Sequence, residues 1–382
     1  MEKKPFKEHH LLQLLDGYTV QMATRWVPMD RWIHQYFRQN PALGSKDRAY
    51  IAETAYALLR WQGLLDQLPT ADHSWEQRLA LFLDFSPETH LDNETIPLHH
   101  RMSFPQELFD LIVNSHGMNK AKELCLASNT PAPTTVRANT LKTTRDALIA
   151  RWRDSYEVTS TLIAPYGIQF AHRLNFFQLP EFKEGLFEVQ DEGSQLVAEM
   201  VDAKPGDLVL DFCAGSGGKA LALAPKLEGK GQLYLHDIRA YALQEAKLRL
   251  RRAGIQNGQV IQHDSKTLKS LKKKMDWVLV DAPCTGTGTI RRNPDMKWNF
   301  TTEALTRLLG QQRTIFERAL SYLKPTGTIV FATCSLLKEE NALQVAHFLK
   351  TYDLVLVGSP LETLPSVGGM DGFFSAAMKM KA

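Results

Sequence analysis

The sequence has little cysteine, no long apolar run and no low-complexity tract. Only four of its 382 residues are cysteines, and none has the C-x-x-C spacing of a zinc site, so no metal is expected. Disulfides are not expected in so long a chain, which predicts free thiols in a reducing cytoplasm. The N-terminal stretch M-E-K-K-P-F-K-E-H-H lacks the apolar core of a secretory signal. No run of about 18 apolar residues is present, so a membrane span is not expected.

The composition is that of an ordinary globular protein, with 44% hydrophobic and 23% charged residues. Its length allows two or three domains, and we expect a monomer. The net charge is only +3, but basic residues cluster in the second half. Such clusters are either solvated helix faces or a footprint for a phosphate backbone, and composition leaves both open. The clustered residues are Arg249, Arg251, Arg252, Lys266, Lys269, Lys272, Lys273, Lys274, Arg291 and Arg292.

The chain divides into three regions with different patterns. Residues 1–100 carry apolar residues at helical spacing, and Ser45 is placed to cap one of the helices. Residues 101–195 mix a helix with the strand patterns T-T-V-R-A-N-T, G-I-Q-F and F-F-Q-L. Residues 196–382 alternate strand and helix. We therefore predict an all-α N-terminal domain, a small α/β module and a larger α/β domain with these boundaries.

The third region contains five apolar strand patterns separated by helices. They are L-V-L-D-F, Q-L-Y-L-H-D, Q-V-I-Q-H-D, D-W-V-L-V-D and T-I-V-F-A-T-C, and the tail adds D-L-V-L-V-G and D-G-F-F-S-A-A-M-K-M as a terminal hairpin. This alternation predicts a doubly wound, Rossmann-like α/β domain with a mostly parallel sheet. Ligands of such a sheet bind at the carboxyl ends of its strands.

A glycine-rich turn follows the first of these strands. Glycines let the backbone approach a ligand closely, and a helix N-terminus lies just behind. The spacing differs from that of a P-loop, and Ala220 replaces its hydroxyl residue, which disfavours a triphosphate. The candidate cofactor-binding residues of the turn are Cys213, Ala214, Gly215, Ser216, Gly217, Gly218 and Lys219.

Four successive strands end in an aspartate: Asp211, Asp237, Asp264 and Asp281. The carboxyl ends of parallel strands meet at one edge of a sheet, so these acids are expected to surround one site. Asp237 lies where a carboxylate would bind ribose hydroxyls, and Asp264 and Asp281 are further candidates for cofactor binding. A dinucleotide such as NAD would use the same acid, so the pattern leaves that alternative open.

Two cysteines follow strands at this same edge. Cys284 lies in the turn D-A-P-C-T-G-T-G-T after the fourth strand, and Cys334 ends F-A-T-C after the fifth. We expect these two strands to be neighbours, which would bring both thiols over one pocket. Cys125 is expected to be a buried apolar residue, and Cys213 a packing residue of the glycine turn.

The motifs D-F-C-A-G-S-G-G-K, D-A-P-C-T-G-T-G-T-I-R-R-N-P-D-M-K-W and A-T-C-S resemble the signature motifs of the Sun/Nop-type RNA cytosine-5 methyltransferases. The resemblance covers about residues 130–382, and the helical front end is similar to the NusB-like domain of the bacterial ribosomal RNA members. It implies a methyltransferase fold, S-adenosylmethionine as cofactor and cytosine in RNA as substrate. Where the family has Ala-Pro-Gly-Gly-Lys-Thr, this chain has G-S-G-G-K-A, and Thr285 replaces a common serine.

The resemblance also implies roles for the thiols. Cys334 would be the nucleophile, and Cys284 would assist release of the finished enzyme–RNA adduct. A thiolate that adds to C6 of cytosine makes C5 reactive toward the methyl donor, which is covalent catalysis. Asp281 is placed to hydrogen-bond the base at N3 and at its exocyclic amine. Cys334, Cys284 and Asp281 are therefore the candidate catalytic residues.

A base that reacts at C5 must leave its stack, which favours single-stranded or loop RNA. Candidate contacts to the RNA backbone are Arg137 and Lys142 in the small module and Arg291, Arg292 and Lys297 after the Cys284 turn. Trp298 is either a stacking platform or a core residue.

Other functions fit less well. Amino-group methyltransferases carry an Asn/Asp-Pro-Pro-Tyr/Phe turn, which D-A-P-C does not match, and DNA cytosine methyltransferases lack the Thr-Cys partner. A non-catalytic RNA-binding assembly factor is disfavoured because both cysteines and Asp281 are present. Among RNA substrates, ribosomal small-subunit RNA is preferred and transfer RNA is the alternative.

Overall fold

In a computed structural model, the described residues are 5–69, 72–263 and 265–381. They form two compact units, which are described separately. The first contains the described residues up to Pro131 together with Thr289–Ala304. The second contains Ala132–Gly288 and Leu305 onward.

The first unit is helical, as the apolar spacing predicts. Its core contains Leu11, Leu15, Ile51 and Leu58, all fully buried. The chain enters the third helix through Gly44, whose N–H donates to Asp47, so Ser45 is the first helical residue and not the cap. The helices are α1 (Phe6–Thr24), α2 (Met29–Gln39), α3 (Ser45–Leu65), α4 (Trp75–Phe82), α5 (Leu98–Arg101), α6 (Gln106–His116) and α7 (Met118–Ser128).

The segment after the Cys284 turn belongs to this helical unit. Its short helix is Asp295–Trp298 (α14 in chain order), and the Lys297 ammonium is buried, where it donates to the Arg60 carbonyl and to Asn129 Oδ1 at 2.7 Å each. Asp295 accepts a hydrogen bond from Met29 N–H. Segment 289–304 is thus anchored by buried polar contacts within the first unit.

The second unit begins with a small four-stranded sheet. Its strands are β1 (Thr134–Ala138), β2 (Val158–Ser160), β3 (Gly167–Phe170) and β4 (Phe187–Val189), in the order β2-β3-β1-β4 and all antiparallel. Helices α8 (Arg145–Trp152) and α9 (Pro180–Lys183) accompany it. The expected strand F-F-Q-L is wrong: Phe176–Gln178 forms a 3-10 turn, whose buried Phe176 packs against Phe170.

The larger sheet contains eight strands. Its strands are β5 (Leu208–Asp211), β6 (Gln232–Asp237), β7 (Gly258–Gln262), β8 (Met275–Asp281), β9 (Leu323–Thr333), β10 (Leu354–Leu356), β11 (Leu361–Thr363) and β12 (Phe373–Met380). Its helices are α10 (Glu192–Glu199), α11 (Gly218–Leu223), α12 (Ala240–Ala253), α13 (Lys266–Ser270), α15 (Thr302–Leu320) and α16 (Ala342–Thr351).

The strand order is β10-β12-β9-β8-β5-β6-β7, with β11 paired to β12. Strands β5 to β9 are parallel to their neighbours within that set, and β12 lies antiparallel to β9. The mostly parallel sheet and the doubly wound order confirm the predicted fold class. Because β5 and β8 are neighbours, the order reverses between them, and ligand sites form at such a switch point.

The core of the large sheet lies on both of its faces. One cluster includes Leu210, Val278 and Phe331, and the other includes Val209, Leu279 and Val330. Adjacent residues of a strand point to opposite faces, so a strand covered on both sides must be apolar throughout. In the described part of the chain, no helix is long and apolar enough to cross a membrane.

Candidate active site

The glycine turn forms at the carboxyl end of β5. Gly215 and Gly217 have φ angles of +54° and +84°, a region that disfavours residues with a side chain. A Cβ at Gly217 would lie 3.3 Å from the Cβ of Ala246 on α12, so this position also requires close packing. The turn leads directly into α11, which begins at Gly218.

Polar contacts from two other elements hold the turn in place. The Arg249 guanidinium donates to the carbonyl and hydroxyl of Ser216, at 3.0 and 2.8 Å, and pairs with Glu188 at 3.0 Å. Arg137 donates to the Gly218 carbonyl at 3.1 Å and to Gln190. The contact with Glu188 was not predicted, because the pairing joins residues 61 positions apart in the sequence.

The Asp237 carboxylate lies at the end of β6, beside the turn. It accepts a hydrogen bond from Gly215 N–H at 2.8 Å and three from Arg239, whose side chain is half-exposed. Burial raises the pKa of Asp237, but the Arg239 and Gly215 hydrogen bonds outweigh it, and the net pKa is lowered. Asp237 is thus an ionised acceptor at the position expected for a ribose-binding acid.

Asp211 is buried where β5 ends. Burial, and next the charge of Asp281, raise its pKa to about 8. Its Oδ1 atom has no hydrogen-bond partner within the described ranges. A buried carboxyl group without full hydrogen bonding is therefore held in its neutral form near neutral pH.

Replacing Asp211 by asparagine should flatten the pH dependence of stability. An unfolded aspartate has a pKa of about 3.9, so between about pH 4 and pH 8 the folded chain holds a proton that the unfolded chain has released. The free energy of unfolding then falls as pH rises, by at most about 1.4 kcal/mol per pH unit, and levels off above pH 8. Thermal melting of the wild-type chain and of Asp211→Asn at pH 6 and pH 8.5 measures the difference in pH dependence. Equal pH dependence in the two proteins would contradict the raised pKa of Asp211.

Lys219 and Asp281 form an ion pair next to the turn. Lys219 Nζ lies 2.6 Å from Asp281 Oδ2, and the lysine is almost fully buried. Burial lowers the pKa of Lys219, but Asp281, Cys334 and Asp211 together raise it above the ordinary value. A fixed cation thus lies among the strand-end groups, and its field acts on negative charge at the Cys334 sulfur.

The two thiols meet above the neighbouring strands β8 and β9. Cys284 Sγ lies 3.4 Å from Cys334 Sγ, and both cysteines are free. The hydrogen bond with Cys334, burial and the nearby charges of Cys334 and Glu340 raise the pKa of Cys284 well above its ordinary value. The expected adjacency of β8 and β9 is confirmed, and with it the meeting of the thiols.

A buried polar cluster joins the two cysteine loops. Glu340 accepts hydrogen bonds from Thr285 N–H and from Gln312, and Thr287 Oγ1 lies 3.1 Å from Ser335 Oγ. Sequence reasoning missed Glu340 and Gln312. The paired acids in L-L-K-E-E-N, six residues after Cys334, were the only available signal.

The residues that were predicted to contact the RNA backbone differ in their exposure to solvent. Arg291 is fully buried in the helical unit and Arg137 is 5% exposed in the second unit, so neither guanidinium is available to a phosphate and both predictions are corrected. Lys142 is exposed, although its ammonium already donates to the carbonyls of Glu184 and Arg252. Arg292 is partly exposed, and its contact with RNA stays a prediction.

Three further predicted residues are Lys297, Trp298 and Asp264. Lys297 is buried, so it is not a phosphate ligand, and Trp298 packs into the helical core, which is the second of its two expected roles. Asp264 lies outside the described residues. The described part of the site therefore consists of the turn from Cys213 to Lys219, three strand-end aspartates and the two thiols.

Two family models match the chain. Residues 198–379 match "16S rRNA methyltransferase RsmB/F", and residues 104–176 match the "Methyltr_RsmF/B-like, ferredoxin-like domain". The chain is 30% identical to the probable ribosomal RNA small subunit methyltransferase B of Synechocystis, over 76% of this chain and 69% of that protein. It is 35% identical to ribosomal RNA small subunit methyltransferase B of Vibrio vulnificus, over 67% and 62%.

Among solved structures, that of the protein PH0851 is similar over 99% of both chains. The TM-score is 0.80 and the sequence identity 21%, so this likeness concerns the fold. The alignments with the two relatives leave about a third of each of those proteins unmatched.

Proposed function

The chain belongs to the RsmB/F family of 16S rRNA methyltransferases, and from this premise we propose that it methylates C5 of a cytosine in small-subunit ribosomal RNA through a covalent adduct with Cys334. The observation that carries the proposal is the pair of thiols 3.4 Å apart beside a strand-end aspartate. An amino-group transfer needs no such pair, since an amine attacks without a covalent catalyst.

The cofactor of the family is S-adenosylmethionine, which supplies an electrophilic methyl group on a sulfonium. The residues present fit this donor. The glycine turn lies at the carboxyl end of β5, and Asp237 at the end of β6 is an ionised acceptor for ribose hydroxyls. Arg239 holds the same carboxylate, so we propose that ribose shares or displaces its hydrogen bonds.

Cys334 is proposed to attack C6 of the target base. C5 of cytosine is a poor nucleophile, and addition of a thiolate at C6 turns the ring into an enamine that reacts at C5. The Lys219 ammonium provides positive charge near this sulfur. The Cys284 thiol, 3.4 Å away, can donate a hydrogen bond to the same sulfur.

Asp281 is proposed to bind the base. Its carboxyl group is partly exposed at the end of β8 and holds Lys219 through one oxygen, Oδ2. The group can therefore hydrogen-bond N3 and the exocyclic amine of cytosine as charge develops on the ring. After methyl transfer, the C5 proton leaves and the Cys334 sulfur is eliminated, a step in which Cys284 is proposed to take part.

The target cytosine must be unstacked to reach both Cys334 and the donor. Bisulfite sequencing of total RNA from cells with and without the gene tests the proposal at single-base resolution. Loss of one signal in small-subunit ribosomal RNA is expected; loss only in transfer RNA would replace the proposed substrate.

We also propose that the enzyme is a cytoplasmic monomer. Light scattering tests the oligomeric state, and cell fractionation tests the location.

Replacing Asp237 by alanine should weaken S-adenosylmethionine binding at least tenfold. The substitution removes the acceptor for the ribose hydroxyls, and about 1.4 kcal/mol of lost hydrogen bonding is a factor of ten in affinity. Calorimetric titration measures the dissociation constant. Arg239→Ala is the matched control, because it removes the guanidinium that donates to Asp237 and leaves the Asp237 carboxylate in place. Unchanged affinity in Asp237→Ala would remove Asp237 from the pocket.

A further inference from the structure

Glu340 is a fully buried glutamate between the two cysteine loops, and the reaction proposed above gives it no role. Its Oε1 accepts hydrogen bonds from Thr285 N–H at 3.0 Å and from Gln312 Nε2 at 2.9 Å. Its Oε2 accepts one from the Thr285 hydroxyl. A buried carboxylate is costly unless several donors satisfy it, and these donors come from separate parts of the second unit.

Glu340 and its partner Gln312 bind the residues on both sides of Cys284 along the chain. Thr285 directly follows that cysteine, and Gln312, which also binds Glu340, donates to the carbonyl of Pro283 directly before it, at 3.1 Å. Both backbone neighbours of Cys284 are therefore held by this one cluster. Glu340 itself lies six residues after Cys334 in sequence, so the cluster fixes one cysteine loop against the other.

Hydroxyl groups extend the connection toward the nucleophile. Thr287 Oγ1 lies 3.1 Å from the hydroxyl of Ser335, the residue after Cys334, and accepts a hydrogen bond from Leu336 N–H. Burial raises the pKa of Glu340, while hydrogen bonds from Ser335 and Thr285 oppose that rise. The carboxyl group thus has donors from both loops.

Building on the proposed function, we propose that Glu340 is a positioning residue that ties the Cys284 loop to the Cys334 loop and holds the Cys284 thiol beside the Cys334 sulfur. Cys334 has a second anchor, because it directly follows strand β9, whereas Cys284 lies three residues beyond the end of β8. Loss of the tie should then displace Cys284 more than Cys334. Release of the product should be slowed while attack on the base persists.

Two substitutions of Glu340 distinguish the loss of its hydrogen bonds from the loss of its charge alone. Glu340→Ala removes every acceptor. Glu340→Gln keeps one oxygen, which can still accept from Thr285 N–H and Gln312. Thr285→Val removes one donor hydroxyl and leaves Glu340 in place, so it carries the test if Glu340→Ala fails to fold. Glu317→Gln, an exposed position on the same helix as Gln312, is the control.

The first measurement reports thiol proximity and needs neither RNA nor methyl donor. Diamide takes two electrons and two protons from the thiols, which become a disulfide, while the diazene becomes a hydrazine. The rate of the Cys284–Cys334 disulfide is followed by mass spectrometry of the digested full-length chain. Glu340→Ala should slow it at least about tenfold and Thr285→Val less, while Glu340→Gln and Glu317→Gln should stay near wild type.

The second measurement is accumulation of a ribonuclease-sensitive, denaturation-resistant protein–RNA band in cells that express each variant. Glu340→Ala should accumulate it, and Glu340→Gln should restore release. Wild-type disulfide rates in Glu340→Ala, with no accumulated band, would overturn the positioning role. Slow disulfide formation in that variant, with no RNA band from any variant including Cys284→Ala, would support the positioning and refute the covalent RNA reaction instead.

Discussion

Replacing Cys334 by alanine should abolish methyl transfer to RNA and prevent any covalent adduct. Without a sulfur to add at C6, C5 of cytosine stays too weak a nucleophile for the donor. We expect a fall in rate of at least about a thousandfold, or about 4 kcal/mol in the activation barrier. Binding of S-adenosylmethionine should change little, because the glycine turn and Asp237 do not use this thiol. Transfer of labelled methyl groups to RNA measures the first effect and calorimetry the second.

Cys284→Ala should still methylate RNA but should fail to release it. Cys334 keeps its place after β9 and its cation Lys219, so attack and methyl transfer proceed. Elimination follows addition, and blocking it accumulates the intermediate. Denaturing electrophoresis of extracts should then show a heavy band that ribonuclease removes.

Together, Cys334→Ala and Cys284→Ala decide which cysteine is the nucleophile. A ribonuclease-sensitive adduct from Cys334→Ala and none from Cys284→Ala would make Cys284 the nucleophile. Full activity in both variants with no adduct would refute covalent catalysis. Cys125→Ala is the matched control, since that thiol is buried in the helical unit and has no part in the proposed chemistry.

The sequence predicts the large sheet well because its signals are local. Strands such as Leu208–Asp211 and Gln232–Asp237 are short apolar runs between turns, and each ends in an acid that the structure places at one edge of the sheet. The same logic predicted that Cys284 and Cys334 meet, since consecutive strands of a parallel sheet are commonly neighbours.

The site predictions that failed concern charged residues. Arg291 and Lys297 look like surface cations in sequence, but the structure buries both, and Lys297 donates to Asn129, 168 residues away. Burial of a charge depends on partners brought together by tertiary folding, which periodicity does not encode. Glu340 and Glu188 were missed for the same reason, because their donors come from distant parts of the chain.

Methyl transfer should also depend strongly on the Asp281 carboxylate. Asp281→Asn keeps the shape and one acceptor oxygen but removes the negative charge that is proposed to orient the cytosine and to interact with its amine. We expect methyl transfer to fall by roughly a hundredfold or more, the usual range for a lost acid–base group. Donor affinity should fall less, because Asp237 and the glycine turn remain. Single-turnover transfer of labelled methyl groups measures the first quantity and calorimetry the second.

The ion pair with Lys219 requires a second variant, because Asp281 also neutralises this buried ammonium 2.6 Å away. Breaking a buried pair from one side is destabilising in itself, since it leaves the other charge unpaired. Lys219→Met removes that charge at similar volume, so Lys219→Met/Asp281→Asn lacks the unpaired cation. If Asp281 acts on the base, the double variant should be much slower than Lys219→Met alone, while its melting temperature recovers above that of Asp281→Asn. Equal rates in the double variant and in Lys219→Met would reduce Asp281 to a counter-ion of Lys219, and base binding would have to be assigned elsewhere.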